Sequence, residues 1–599
     1  MDKFKTKERI EIEEKYKWDV SKIFKSDADW EKEHSSLKED VKEVLKYRGK
    51  LTESSKTLLE ALKLYMSLGE RLGKMYVYSS LRHDEDNREP KYQEINKKAI
   101  SLLTEAHSYS SFLSAELVKE NPETIKKYLS ENEELKLYEK FLDNILRNKE
   151  HILSESEEEI LSKISEVNDN ASSIYSIFMN ADIKYPMVKV EGGGEVELTS
   201  GNYTVIVESK DRDVRKGAFE AKYKTINSYI NTLGQTLAGE VKKNVVMADI
   251  RNFKTAREAA LFENNVPVSV YDSLLESVHK NIGGLHRFMD LRKRLMGYDE
   301  LHMYDIYTPV LGDVEMNFTY EEAKEIILDA LKPLGEEYLA ALKEGFENRW
   351  VDVFENTGKR SGAYSSGTYG TDPYILLNYH GTLDNVFTLA HELGHSIHSY
   401  FTRKNQPYVY GNYPIFLAEV ASTLNENLLV DYFLKKEQDP AKKRFIINQF
   451  LDTIRGTLYR QTQFAEFEKN IHEYVEAGGA ITHEYLSEEY FKLNKFYYGD
   501  SIVSDDEIRL EWARVPHFYY NFYVFQYATG ISASIALSNK ILKEGEPALN
   551  KYLNFLKGGS SEYPVETLKR AGVDMTTTEP VDSALNLFNE MIDKFEELM

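Results

Sequence analysis

Between residue 29 and about residue 180, apolar side chains recur every three or four positions among charged ones, as Leu58, Leu59, Leu62, Leu64, Tyr65 and Leu68 illustrate. That period gathers apolar groups on one face of an α-helix, so this stretch predicts a stack of amphipathic helices. The period breaks between residues 184 and 207. Residues 184–190 alternate weakly, Gly192, Gly193 and Gly194 supply a turn, and 196–198 and 203–207 read as short strands. Helical spacing resumes over 212–349, yields to a second island over 351–379 dense in Gly, Ser and Tyr, and returns after Gly381 almost to Met599. Within that island, 361–370 predicts a loop and 374–378 a strand. The pattern as a whole predicts a mostly α protein with a few short β-strands.

Punctuation and size sharpen this outline. Prolines number 14 and glycines 32 in 599 residues; usual levels are about 5% and 7%, and scarcity of breakers favours long helices. Single cores stop growing near ~250–300 residues, so at least two lobes are expected. The breaks suggest an N-terminal helical lobe over 1–183, a β-hairpin boundary over 184–211 and a larger domain over 212–599.

Composition mainly excludes. With no Cys, the chain has no disulfide, thiolate zinc site, iron–sulfur cluster or cysteine nucleophile. A net charge of -23 argues against nucleic acid as a partner, which needs a basic surface, and against anionic lipid. No stretch of roughly 18 apolar residues could span a membrane. The first 25 residues are charged without an apolar core, which does not suit a secretory signal and leaves a cytoplasmic protein as the expectation. Any chemistry must use His, carboxylate, hydroxyl, Lys, or a metal held by N and O ligands.

Three of the 14 histidines fall close together, at His391, His395 and His398. Leu383, Val386, Leu389, Ala390, Leu393 and Ile397 around them predict a buried helix with Thr382 as its N-cap. On a helix His391 and His395 face the same way and can reach one ion at ~2.0–2.1 Å each. Glu392 stands beside the first, where its carboxylate can flank a metal-bound water. This is the H-E-x-x-H arrangement, for which composition predicts fewer than roughly 0.06 chance matches. Zinc then needs a third protein ligand, and two candidates compete. His398 shares the face but lies seven residues from His391, ~10 Å along the axis, too far for one straight helix to aim all three rings at one ion. Glu419 lies in the apolar stretch 416–426, where a carboxylate needs a partner, and a second antiparallel helix would bring it to the histidines. Glu419 is the favoured ligand and His398 the alternative. Glu426, two turns beyond Glu419, is placed to hold a ligand histidine in the right tautomer. Farther on, Pro516 can open a helix on which His517, Tyr520, Tyr523 and Tyr527 form one stripe, able to stabilise a tetrahedral oxyanion.

Residues 388–399 together with 416–426 resemble the thimet-oligopeptidase-like zinc metallopeptidases, in the branch of oligoendopeptidase F. The 28-residue spacing from His391 to Glu419, the approach 381–390, the segment 460–468 and the stretch 517–530 all look like this branch. The resemblance covers residue 212 to the C-terminus; the N-terminal third carries no diagnostic motif. It implies a two-lobed helical body with a deep central channel, one Zn²⁺ held by His391, His395 and Glu419, and Glu392 as catalytic base. It also implies that His517 and Tyr523, with Tyr520 and Tyr527 in reserve, bind the tetrahedral intermediate. The expected activity is hydrolysis of internal bonds in short, unstructured peptides. The strand 374–378 is expected to offer its edge to the peptide backbone. A zinc carboxypeptidase or dipeptidase on a similar scaffold is the alternative enzyme, and a non-catalytic helical peptide-binding protein the alternative from another class. Oligomeric state is not legible.

Overall fold

The helical period becomes helix along most of the chain. In the computed structural model, which describes residues 6–312 and 314–599, the helices that position the chemistry are, in chain order, α1 (Ser55–Glu85), α2 (Pro90–Ser110), α3 (Arg212–Asn227), α4 (Leu383–Asn405), α5 (Ile415–Lys436), α6 (Arg460–Glu476), α7 (His483–Tyr498), α8 (Phe525–Glu544) and α9 (Glu546–Gly558). The longest, α1, opens where Ser54 accepts from the Thr57 backbone N–H, satisfying one of the donors a helix start leaves unpaired. Its Leu68, Leu72 and Met75 share a core with Ile95, Ala99 and Leu102 of α2. Each fully buried side chain of this size stabilises the fold by about 1.5–3 kcal/mol. No described helix is long and apolar enough to cross a membrane.

Five short strands complete the described fold. β1 (Met187–Lys189) and β2 (Glu195–Glu197) make the expected antiparallel hairpin, turned by Gly192 and Gly193, both at φ +90°, where a side chain would be strained. The segment Tyr203–Val207, read above as a strand, is a short α-helix. Its buried residues are Tyr203, Ile206 and Val207, the three-and-four spacing of one helical face. Packing against α3 therefore overrides the β-propensity of a Tyr-Thr-Val-Ile-Val run.

β3 (Val351–Asp352), β4 (Tyr364–Ser366) and β5 (Tyr374–Leu376) form a second sheet in the order β3-β5-β4. β5 runs parallel to β3 and antiparallel to β4. It is thus the central strand, and both its edges are taken; the edge expected of 374–378 belongs instead to β4. Tyr374 and Leu376 pack into the α1–α2 core. Asp352 of β3 is buried but paired, with Arg9 at 2.6 Å and Lys359 at 2.7 Å. Burial pushes its carboxyl up, yet Lys359 and Arg9 outweigh that and hold it below the usual range.

Contacts gather the chain into two compact units, each assembled from separate stretches. One takes the chain up to Ile152, Met316–Tyr432 and Leu537–Val573; the other takes Leu153–Glu315, Phe433–Ala536 and Asp574–Met599. The first holds α1, α2, α4, α9 and the three-stranded sheet. The second holds the hairpin, α3, α6 and α7. The boundary expected over 184–211 thus lies within the second unit, where the hairpin packs on α3.

Candidate metal centre

Helix α4 starts at the expected cap. The Thr382 hydroxyl accepts from Asn385 N at 3.2 Å, and the Asn385 side chain accepts in return from the backbone N–H groups of His380 and Thr382. The apolar stripe of α4, including Leu389, Leu393 and Ile397, is buried. His391 and His395 lie one turn apart on a half-buried face. One turn beyond His398 on the same stripe, Thr402 donates to Leu556 O of α9 at 2.9 Å, so α9 packs on the C-terminal half of the helix.

The approach of α5 depends on Gly394. A Cβ there would lie 2.6 Å from Ser422 Cα and 2.7 Å from Ala421 O, closer than any side chain tolerates; hydrogen alone lets the two backbones meet. Asn425 of α5 fastens the crossing by donating to Ala390 O at 2.9 Å and accepting from Tyr338 Oη at 2.9 Å. This contact carries Glu419 to the histidines. His391 Nε2 and His395 Nε2 are 3.2 Å apart, and Glu419 Oε2 stands 3.5 Å from the first and 3.8 Å from the second.

These separations fit a zinc ion. Two bonds of ~2.0–2.1 Å at a tetrahedral angle hold their donor atoms about 3.3 Å apart. Among the described residues, His391, His395 and Glu419 are the set of three whose ligand atoms converge within 4.8 Å. The Glu426 carboxylate meets His391 Nδ1 at 2.5 Å, which fixes the Nδ1–H tautomer and leaves the Nε2 lone pair for a metal. Ser422 Oγ donates to Glu419 Oε2 at 3.0 Å and steadies the carboxylate.

Three carboxylates, Glu392, Glu419 and Glu426, stand around the two imidazoles. Burial pulls His391 down, but the bond to Glu426 and the carboxylates around it lift it to about 9. Burial and the neighbouring His391 take His395 down to about 4. Glu392 is 7% exposed. Burial pushes its carboxyl up to about 7, with His391 opposing and Glu419 and Glu426 adding to the rise. The Ser365 backbone, on the edge strand β4, hydrogen-bonds this carboxyl.

His398 stands outside the converging set. Its ring is buried, stacks on Tyr413 at 3.6 Å and lies 5.1 Å from Phe555. Burial holds it neutral, down to about 3.

The four aromatics of the last motif belong to the second unit and gather among themselves. His517 lies 5.6 Å from Tyr520 and 6.1 Å from both Tyr523 and Tyr527, ring centre to ring centre. They do so without the single helix expected of them. Pro516–Tyr519 is one 3-10 turn, Asn521 and Phe522 both have positive φ, 45° and 56°, and α8 begins only at Phe525. Sequence reasoning missed what holds this turn: buried Glu468 of α6 accepts from the Phe522 backbone N–H at 2.6 Å, and the His472 ring packs 4.6 Å from Phe522. A carboxylate amid Phe464, Phe467 and Ile471 was the available signal. Gly394 and Ser365 were missed as well, and neither carries a local signal.

Comparison with known proteins bears on the whole chain. A model of peptidase family M3 matches residues 205–587, and one described as oligopeptidase F matches residues 116–185. The oligopeptidase PepF of Bacillus subtilis strain 168 is 50% identical over 592 residues, covering 99% of this chain and 88% of the relative. A crystal structure from Chlamydophila abortus superposes with a TM-score of 0.94 at 38% identity, covering 99% of this chain and all of the other. The oligoendopeptidase F structure from Enterococcus faecium gives 0.75 at 39% identity, covering 96% and 99%. The likeness therefore extends into the N-terminal third, where no single motif announced it.

Proposed function

Because the chain belongs to peptidase family M3, we propose that it is a zinc-dependent endopeptidase cutting internal bonds of short, unstructured peptides. The convergence of His391, His395 and Glu419 beside the buried Glu392 carries this reading. The two imidazoles, through Nε2, and the Glu419 carboxylate would hold the zinc. When bound, the ion supplies a Lewis acid that acidifies a coordinated water and polarises the peptide carbonyl. Glu392, buried beside His391, takes the proton of the attacking water and hands it to the leaving amine. Glu426 keeps His391 in the ligating tautomer. The free edge of β4, whose Ser365 touches Glu392, is suited to align an extended peptide backbone.

The test is digestion of a peptide of about ten residues, read by mass spectrometry with and without chelator. Internal cuts that vanish with chelator and return with zinc are expected, whereas stepwise shortening from one end indicates an exopeptidase. Glu392→Gln is expected to retain about one zinc per chain and to lose cleavage by ~10²–10⁴-fold. Turnover above a few per cent of wild type in a pure sample removes Glu392 from the role of base.

A further inference from the structure

Helix α6 carries a buried acid that the metal centre does not use. Glu468 is fully buried. Its Oε1 accepts from the Phe522 backbone N–H, its Oε2 has no partner, and no described cation pairs with it. The groups packed around it bring no free charge. On α6 itself, His472 donates through Nδ1 to the Glu468 carbonyl at 2.8 Å and accepts on Nε2 from Asn244 of the helix Ile230–Ile250 at 3.4 Å. Burial pulls that imidazole down to about 4. Also on α6, Glu466 is taken by His279 and Tyr497, and Lys469 by Glu473. Glu240 and Lys243 of Ile230–Ile250 pair with each other. The helix Val268–Lys280 brings Tyr271, whose hydroxyl donates to Ala465 O at 2.6 Å. Arg257, over the Tyr271 ring, is engaged by Asp272 at 2.7 Å and Glu473 at 3.8 Å.

An ionised carboxylate in such a place is costly, because a single N–H is all that meets its charge. Burial accordingly pushes this carboxyl up to about 8, with the bond from Phe522 opposing. Protonation removes the charge and makes Oε2 a donor, in a region where Asn521 Oδ1 is also buried without one. The turn that Glu468 holds needs a hold. Asn521 and Phe522 are left-handed in succession, at φ 45° and 56°; Asn tolerates that region and a bulky side chain rarely enters it. What keeps Phe522 there is tertiary: its N–H on Glu468, and its ring against His472 and Tyr271, at 4.6 and 5.9 Å between ring centres. Hydrating an ionised Glu468 means breaking into that packing. The same turn sets His517 and Tyr520 on one side against Tyr523 on the other.

We propose that Glu468 is a proton-dependent latch: as the neutral acid it keeps the Asn521–Phe522 turn closed, and when it ionises the turn opens to water and the grouping of His517, Tyr520 and Tyr523 is lost. The latch lies wholly within the second unit and is independent of the peptidase reading. Hydrogen–deuterium exchange tests it, read as protection of residues 517–524 after correction for the intrinsic pH dependence of exchange. A hydrated glutamate titrates near 4.5 and this one, in the closed turn, at about 8. The closed form's advantage is therefore complete below about 4.5, shrinks as the pH rises and is spent above about 8. Wild type is expected to lose about tenfold in protection per pH unit across that window and then to level off.

Glu468→Gln keeps the acceptor for Phe522 N–H and offers an uncharged donor, so its protection of 517–524 should stay flat across the same window. Helix α3, in the same unit, should behave alike in the two proteins. A flat wild-type profile overturns the proposal whatever the variant does, so the test stands even if Glu468→Gln fails to fold. Equal slopes in the two proteins overturn it by removing Glu468 as the titrating group. A slope shared by α3 overturns it by making the event global unfolding. Protection lower in Glu468→Gln than in wild type throughout the window overturns it too, because the turn then depends on a charged acceptor.

Discussion

Glu426 acts on the proposed zinc site through His391, whose Nδ1 it meets at 2.5 Å. By fixing the Nδ1 proton of His391 it turns the Nε2 lone pair inward, and its negative charge strengthens that donor. Glu426→Gln is therefore expected to weaken zinc affinity by ~10–100-fold in a folded chain, measured by competition with a chromophoric chelator. Third-ligand identity separates two neighbours: Glu419→Ala should lose stoichiometric metal and His398→Ala keep it, and the reverse result overturns the ligand set. At this scale the sequence is most legible where the chemistry is local. His391, Glu392 and His395 could be read because one helical turn fixes their mutual geometry. Glu419 needed a second helix, and its placement rested on the cost of a buried carboxylate and on resemblance. The hold of Glu468 on the Phe522 N–H joins residues on different elements, and no spacing reports that.

Helices α4 and α5 meet at a place where one atom decides the distance. Gly394→Ala puts a methyl against the α5 backbone, which cannot yield as a side-chain tip would, so the helices must part. Overpacking of this kind costs about 1–3 kcal/mol. The expected result is a lower melting temperature together with zinc affinity reduced by more than the tenfold that 1.4 kcal/mol represents, because the displacement moves Glu419 from the histidines. A zinc titration that leaves affinity unchanged while the melting temperature falls separates packing from ligand placement and counts against this coupling. Elements were legible where the period was long, as in α1 and α4. They were misread where a few residues carry two codes at once: Tyr203–Val207 has strand-forming side chains at helix-forming positions. The run from His517 to Tyr527 holds helical spacing but has two left-handed residues in its middle, and a tertiary carboxylate, not local propensity, stabilises them.

At the scale of the whole molecule, acid tolerance draws on buried, paired carboxylates such as Glu511, whose Oε1 accepts from Arg460 and Arg514 and whose Oε2 accepts from Tyr490. Burial pushes Glu511 up, but Arg460, Arg514 and Tyr490 prevail and hold it at about 2. An unfolded glutamate titrates near 4.5. Its folded pKa is depressed, so its stabilisation is complete above pH 4.5 and is lost as the pH falls toward about 2. Glu511→Gln should cost about 3–5 kcal/mol at pH 7, leaving buried cations unpaired. It should also show a flatter fall in stability over that acid window, which urea melts at several pH values would read; equal slopes in the two proteins would remove Glu511 as the cause. The interleaving of the two units was beyond the reach of composition and period, since a linear scan assigns neighbours in sequence to one body. It also has a consequence for synthesis. The ribosome releases His391, His395 and Glu419 before it has made α9, the helix that packs on α4 through Thr402 and Leu556. A nascent chain thus carries the three converging side chains while the C-terminal half of α4, where His398 meets Phe555, is still uncovered. That half of the helix gains its partner only after translation has passed Gly558.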